Sequence, residues 1–534
     1  AHALVQSSLP PHPSGLSVSA AVAACDAKAE SLLPQGERGT ERGAGNSLSS
    51  ARSPLPLWER AVSLGEAEPS LEKRGEGVGP RTTAVLCWIA NELAPALDVC
   101  GESEIAAVLA ALNGRFVPPG PSGAPTRGRP DVLPTGRNFY SVDVRAVPTA
   151  AAWALGKAAA NALALRYFQD EGEWPKSIAM SAWGTSNMRT GGDDVAQLLA
   201  LIGAEPAWEP GTGRVTGFRV MALAELGRPR IDVSLKVSGM FRDAFPGQID
   251  LIDSAIRAIA ALDEDDEANP IAASARALRK RLEAAGVGRD AAALQAGSRI
   301  FGAKPGAYGA GLQVPIDTSA WETRRDLAET FLAWGGFVYG GGQQGEGARK
   351  LFAERLAVVD AVLHNQDNRE HDILDSDDYY QFQGGLAATV ETLKGEAPRV
   401  YHGDHSRPEK PVIRSLGEEI ARVVRGRGAN PKWIAGVMRH GYKGAFEIAA
   451  TVDYLFAYAA TTNAVQDHHF DQLFDAYIGD DAVRSFIADN NAPALSEIAV
   501  RFREAIDRGL WSPRLNSAYD RLSALIAERR EAAE

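Results

Sequence analysis

SIAMSAW at Ser177–Trp183, then GTSNMRTGGDD at Gly184–Asp194, then VAQLLALIG at Val195–Gly203, is the stretch on which the fold turns. The first segment is a short apolar run of strand type. The last carries the apolar periodicity of a helix. Between them lies a polar loop rich in Gly, Ser, Thr and Asn, with one arginine. Open α/β sheets build ligand sites where a strand ends in such a loop and the chain re-enters as a helix. The loop amides and Arg189 are expected to face a ligand. Gly184, Gly191 and Gly192 are expected to admit close backbone approach, and the helix start to favour carboxylates. Two other segments look built for polar chemistry: GRPRIDVSLKVSGMFRD (Gly227–Asp243) and EHDILDSDDYYQFQGG (Glu370–Gly385).

Around this unit the pattern alternates. A long helix is expected over Pro148–Gln169. Strand-like runs at Val215–Leu223 and Arg230–Val237 alternate with helices near Gln248–Leu262 and Ala272–Ala285. From about Trp321 the chain reads as mostly helical, with Pro431 at a helix start. The fold class expected is α/β and multidomain: an α/β ligand-binding region followed by a predominantly helical C-terminal region. The divisions expected are residues 1–33, with one helix over Ser19–Leu33; 34–80, a low-complexity insertion of Gly, Glu, Arg, Ser and Pro too polar to offset its ordering entropy; 81–145, helical with a Pro/Gly-rich loop at Phe116–Tyr140; 146–345, the α/β ligand-site domain; and 346–534, mainly helical.

The net charge of −12 over 534 residues argues against a nucleic-acid partner. The densest basic run, RVVRGR at Arg422–Arg427, reads as one solvated helix face. Cys25, Cys87 and Cys100 show no CxxC spacing, so a reducing, cytoplasmic compartment is expected. No uninterrupted run of about 18 apolar residues occurs, so no membrane span is expected. The best candidate, Ala151–Phe168, is broken by Lys157, Asn161 and Arg166. No signal peptide opens the chain. It starts on Ala1 and reads as part of something longer.

Gly340-x-Gly342-x-x-Gly345 matches GxGxxG after a strand-like FVYG and before a helical pattern at Ala348–Leu363. No strand is expected after that helix, so the motif reads as a glycine loop lining a pocket rather than a dinucleotide site. No GxxxxGK[ST] occurs, so no Walker-type ATP site is expected. Polar chemistry concentrates late in the chain, where seven of nine histidines follow residue 360. EHDILDSDD places Glu370, His371, Asp372, Asp375, Asp377 and Asp378 together, and HGDH places His402, Asp404 and His405 together. Imidazole with carboxylate suits divalent first-row metals, Co2+ and Zn2+ among them, although neither spacing is a zinc signature. DHHFD (Asp467–Asp471) reads as a helix start with His468 and His469 pointing apart. Trp183, Tyr308, Trp334, Tyr339, Tyr379 and Tyr380 flank glycine-rich or acidic loops, where aromatics line cavities for flat ligands or pack the core.

LPTGRNFY (Leu133–Tyr140), AWGTSNMRTGGDD (Ala182–Asp194), ELGRPRIDVSLKVSGMFRD (Glu225–Asp243), FGAKPGAYGAGL (Phe301–Leu312), DSDDYYQFQGG (Asp375–Gly385) and NPKWIAGVMRHGYKGA (Asn430–Ala445) together resemble the C-terminal half of the cobaltochelatase large subunit of CobN type. That family is itself similar to the H subunit of magnesium chelatase. The resemblance runs collinearly over about residues 81–534. It implies a tetrapyrrole-binding subunit at which metal enters, with Co2+ as the metal and hydrogenobyrinic acid a,c-diamide as the ring, on the aerobic route to cobalamin. It implies as partners an AAA+ ATPase subunit, which hydrolyses ATP with its Mg2+, and a subunit with an integrin-like domain. The alternatives are a non-catalytic or truncated tetrapyrrole-binding scaffold, and a magnesium chelatase H subunit acting on protoporphyrin IX.

Inserting Co2+ requires holding the ring, taking its inner N–H protons and stripping water from the metal. Arg137, Arg189 and Arg242 are the expected partners of the ring carboxylates, since guanidinium pairs with them bidentately. Trp183, Gly184 and Asn187 complete the expected substrate site. Glu370, His371, Asp375 and Asp377 are expected to accept protons. His371, Asp375, Asp377, His402 and His405 are expected to meet the metal.

Overall fold

The computed structural model describes residues 80–121, 125–127, 129–137 and 142–533. The expected helix over Ser19–Leu33 lies outside the described residues, as does the 34–80 insertion except for its last residue. The chain divides into two compact units, residues 1–140 and 141–534.

In the first unit, a helical stretch runs from Thr82 to Leu112. By length and composition alone it is apolar enough to cross a membrane, where no such segment was expected. Pro95 has no N–H to give to the helix ladder, and the turn just before it, Ile89–Leu93, is a π-turn. Leu112, Ile105 and Val108 are exposed.

The second unit is organised on one sheet. Its strands are β1 (Ser177–Ala182), β4 (Asp232–Val237), β5 (Ile300–Gly302), β6 (Phe337–Gly340), β7 (Gln343–Gly347), β8 (Ala361–Gln366), β9 (Arg399–Asp404) and β10 (Val412–Ser415), with β2 (Ala204–Trp208) and β3 (Val215–Val220) forming a separate antiparallel hairpin. The sheet order is β10-β9-β8-β1-β4-β5-β6-β7. The five central strands, β9 to β5, are parallel. The edges, β10 on one side and β6 and β7 on the other, are antiparallel.

Every residue of β1, β4 and β8 is buried, because helices cover both faces of a parallel sheet. Alternation along β1 sends Ile178, Met180 and Ala182 into one core and Ala179 into the other. The first core is roofed by α1 (Ala150–Glu171), α3 (Asp193–Ile202) and α5 (Pro246–Ala260), which pack through Leu163, Leu199 and Ile256. Each such side chain contributes about 1.5–3 kcal/mol by burial. Between α1 and α3 in sequence comes α2 (Gly184–Thr190), and between α3 and α5 comes α4 (Gly239–Ala244). The second core is built by α6 (Arg324–Gly335), α7 (Arg349–Leu356), α8 (Gly385–Lys394), α9 (Leu416–Val423), α10 (Tyr442–Thr461) and α11 (Asp481–Asp507).

α1 starts where the sequence permits: the Thr149 hydroxyl accepts from the Ala152 amide at 3.1 Å, and Gly172, at φ 82°, ends it. The boundary expected after residue 345 falls inside the sheet, since β8, β9 and β10 follow it. A strand does follow the GxGxxG helix. α7 stops at Leu356 and β8 begins at Ala361, so the helix expected through Leu363 is too long. β7 is an edge strand and β8 lies inside the sheet between β9 and β1, so the two are not neighbours and no βαβ unit joins them. Gly340, Gly341 and Gly342, all at positive φ, make the β6–β7 hairpin turn. His468 and His469 do not point apart: their ring centroids are 4.0 Å from each other.

Candidate active site at the strand ends

The chain leaves β1 for β4 and β5 on one side and returns to β8 on the other. That reversal makes β1/β8 the switch point. In open α/β sheets the loops beyond such strand ends diverge, and the crevice expected between them is where ligands bind. Four segments meet at this end: α2 after β1, α4 after β4, residues 367–379 after β8 and residues 405–411 after β9.

The segment expected as a loop after β1 is the short helix α2. Gly184 makes it possible, because a Cβ there would lie 2.7 Å from the backbone of Met240 in α4. The Gly184 amide donates to the Ser238 hydroxyl at 3.2 Å. Gly191 and Gly192, at φ 73° and 101°, turn the chain into α3. They face Thr149 and Val147 rather than a ligand space. The start of α3 is filled by the protein's own carboxylates, Asp193 and Asp194, which takes the place expected for a substrate carboxylate.

Those two carboxylates sit in a buried polar cluster. The Asn187 side-chain amide donates to the Trp183 carbonyl at 2.7 Å and to Asp194 Oδ2 at 2.8 Å. From β8, the Asn365 amide donates to Asp194 Oδ1 at 2.8 Å and to Gln197 Oε1 at 2.6 Å. Burial, with Asp193 adding repulsion, pushes the Asp194 carboxyl up to about 6 against the hydrogen bonds it accepts. His405 Nδ1 lies 3.6 Å from Asp193. Gly403 permits this arrangement, because a Cβ there would come 2.1 Å from Asn365 Oδ1. Asn187 is thus a buried positioning residue, while Arg189, on the same helix, is half-buried. The Arg189 guanidinium forks onto Asp367, just past β8, at 2.8 and 2.9 Å.

One or two residues back from the strand ends, register builds a row that local sequence does not show. Lys236 of β4 is the partner of Ser181 of β1, and His364 of β8 is the partner of His402 of β9. Ser181 Oγ meets His364 Nδ1 at 2.6 Å, joining the two pairs. All four residues are buried. Among the described residues, Lys236 Nζ, His364 Nε2 and His402 Nδ1 have no hydrogen-bond partner. Burial, then the charge of Arg242, draws the Lys236 ammonium down to about 7. Burial, then His402 and His405, holds His364 neutral. Burial outweighs Glu419 and Asp404 and brings His402 down to about 4. Aromatic rings wall the row: Trp183 lies 4.4 Å from His364 and 5.8 Å from Phe382, and Lys236 Nζ lies 5.5 Å from Phe382. Nothing in the sequence singled out Ser181, Lys236, His364 or Asp367; a lysine inside an apolar strand, LKV, was the one available signal.

The acidic turn is held by arginine. Arg427 forks onto Asp372 at 2.6 and 2.9 Å and reaches Asp375 at 3.1 Å. Burial and the neighbouring Asp372 still raise the Asp375 carboxyl above the ordinary range. His371 Nδ1 meets the Tyr379 hydroxyl at 3.0 Å, and Tyr379 packs 5.0 Å from Trp183. This contact ties the turn to the β1 end. Asp377 accepts from Gln381 at 2.7 Å. Glu370 is exposed. His402 Nε2 lies 3.1 Å from Gln366 Oε1 and 3.9 Å from Glu419.

Among the described residues, no three His, Cys, Asp or Glu side chains converge as a metal ion requires. The expected set of His371, Asp375, Asp377, His402 and His405 is therefore spread over separate contacts. Arg242 does not face the crevice either. Its guanidinium donates to the carbonyls of Ala303, Lys304 and Ala307 and pairs with Asp243, fixing the loop after β5. Arg137 belongs to the first unit, where its side chain covers Gly120.

A largely parallel sheet covered by helices on both faces, with its strand order reversing at β1/β8, is an α/β fold of doubly wound type. The CobN/magnesium chelatase family model matches residues 11–518, and the chain belongs to that family. The aerobic cobaltochelatase subunit CobN of Sinorhizobium sp is 62% identical over 444 residues, covering 83% of this chain and 35% of that protein. The CobN of Pseudomonas aeruginosa is 56% identical over 448 residues, 84% of this chain and 35% of that protein. The chloroplastic magnesium-chelatase subunit ChlH of Oryza sativa subsp. japonica is 33% identical over 419 residues, 77% of this chain and 29% of that protein. Among solved structures, the catalytic subunit of cobaltochelatase from Mycobacterium tuberculosis matches with a TM-score of 0.77 at 47% identity, over 85% of this chain and 38% of that one. The chain thus spans about a third of the length of the curated relatives it matches.

Proposed function

We propose that this chain is the part of a cobaltochelatase large subunit in which Co2+ enters hydrogenobyrinic acid a,c-diamide. The observation that carries the reading is the gap in identity: 62% and 56% to cobaltochelatase subunits against 33% to a magnesium-chelatase subunit. Magnesium insertion into protoporphyrin IX is correspondingly the weaker reading. The crevice supplies matching chemistry. Arg189 presents a guanidinium to a ring carboxylate, and Trp183 and Tyr379 bring aromatic surface to the same place.

Co2+ is the second substrate. As it replaces each inner ring proton, the N–H bond breaks, its electron pair stays on nitrogen to bind the metal, and the proton passes to a base. Asp375, whose carboxyl is raised toward neutral pH, and His371 are the acceptors we assign, with Glu370 and Asp377 beside them in the same turn. The energy comes from ATP hydrolysed on an AAA+ partner, with its Mg2+. An integrin-like-domain subunit completes the complex, which works in the cytoplasm.

The test is the absorption spectrum of the substrate mixed with this chain, its partners, Co2+ and ATP. Chelation shifts the spectrum only with both metal and ATP, and Asp375→Asn with Asp377→Asn abolishes it while ring binding survives. A shift without ATP supports the scaffold alternative. Turnover unchanged in the double variant overturns the assignment of the base.

A further inference from the structure

A charge pair of the protein's own bridges the ends of β1 and β8. Arg189 rises from α2, and Asp367 sits one residue past β8, so their contact spans the switch point. The pair is two-pronged, Nε to Oδ2 at 2.8 Å and Nη2 to Oδ1 at 2.9 Å. This is the geometry in which a guanidinium takes any carboxylate. Arg189 keeps 31% of its side chain exposed, while Asp367 keeps 10%. A ligand can therefore reach the arginine from solvent while the aspartate lies behind it. Arg242, on loop carbonyls, and Arg427, on Asp372, are more deeply buried, at 6% and 13% exposed.

We propose that Asp367 is an internal stand-in for a carboxylate of the tetrapyrrole. It occupies Arg189 until the ring arrives, and is then exchanged for a ring carboxylate. The inference rests on the functional reading above and adds to it a residue that governs ring affinity. The exchange forms and breaks only ion pairs. The Asn368 side-chain amide, already donating to Asp367 Oδ1 at 3.1 Å, remains as a partner for the displaced carboxylate.

The experiment is a fluorescence titration of the full chain with hydrogenobyrinic acid a,c-diamide, and with its methyl ester as the control lacking free carboxylates. Asp367→Asn removes the competing charge, and the acid should bind about three- to tenfold more tightly. The ester should bind the same to both proteins. Arg189→Ala should weaken binding of the acid, and Asp367→Glu should keep the affinity of the unmodified chain. Asp367→Ala serves as a second variant if the Asn protein does not fold. Unchanged or weaker binding of the acid by a folded Asp367 variant, while the unmodified chain binds, overturns this inference and leaves the functional reading intact. No binding by any of the proteins overturns both.

Discussion

Replacing Lys236 by methionine should make the protein more stable, and by an amount that depends on pH. The side chain is fully buried on β4, with its amine between the rings of Phe331, at 5.8 Å, and Phe382, at 5.5 Å. Gly335 of α6 closes the space above it, since a Cβ there would lie 2.9 Å from Lys236 Cε. Ser181 and Phe301 are its neighbours across the sheet, and Arg242 supplies repulsion. Among the described residues no carboxylate offsets the charge. The amine falls from 10.5 to about 7, and at about 1.4 kcal/mol per unit this is a penalty of roughly 4–5 kcal/mol for the charged form.

Below about pH 7 the amine is protonated in both the folded and unfolded chains, so the whole penalty is felt. Between about 7 and 10.5 the unfolded chain holds a proton that the folded chain has shed, so stability rises with pH. Methionine fills nearly the same volume without a charge. The variant should gain roughly 4–5 kcal/mol at pH 6, shrinking to roughly 2 kcal/mol at pH 9. Reversible urea denaturation at the two pH values measures the difference. A variant less stable at pH 6, or a gain that is the same at both, would refute the argument that the lysine is buried without a partner.

Asp194 titrates in the opposite direction. Its folded value of about 6 exceeds the ordinary 3.8, so between those values the folded chain holds a proton the unfolded chain has lost, and stability falls as pH rises. Asp194→Asn should remove this slope, so its deficit against the parent should be about 2 kcal/mol smaller at pH 7 than at pH 4.5; urea midpoints at the two pH values check it, and parallel curves count against it. Arg299 forks onto Asp232 at 2.7 and 3.0 Å with its own side chain fully buried. Arg299→Met strands that carboxylate and should cost about 3–5 kcal/mol, seen as a lower melting temperature; a neutral result contradicts the ion pair.

Much of the α/β unit was legible. SIAMSA and DVSLKV are strands, and period-two alternation sends Ile178, Met180 and Ala182 of the one and Val233, Leu235 and Val237 of the other into the same core. What failed was local reading where tertiary contacts decide. GTSNMRT has weak helix formers and reads as a loop, yet it forms α2 because Gly184 lets it sit on Met240 and Ser238 caps the approach. AVLHNQ was absorbed into a preceding helix, since only its first three residues are apolar. Its polar half is buried by partners from β9 and α3. Trp183, Asn187 and Arg189 follow β1 at the end of the sheet where a ligand was expected, but Asn187 is turned inward onto Asp194 and Arg189 is held by Asp367. The row of Ser181, Lys236, His364 and His402 has no local signature. It exists only because parallel register aligns four strands drawn from distant parts of the chain.

The account stands on the crevice beside β1 and β8 as the seat of the ring, with Arg189 as its anchor. The most direct measurement is the affinity of the chain for hydrogenobyrinic acid a,c-diamide before and after Arg189→Ala, with melting temperature confirming the fold. A loss of about tenfold or more is predicted, as expected when a bidentate carboxylate contact is removed. Equal affinity in a fully folded variant would place the ring elsewhere and contradict the assignment of this site.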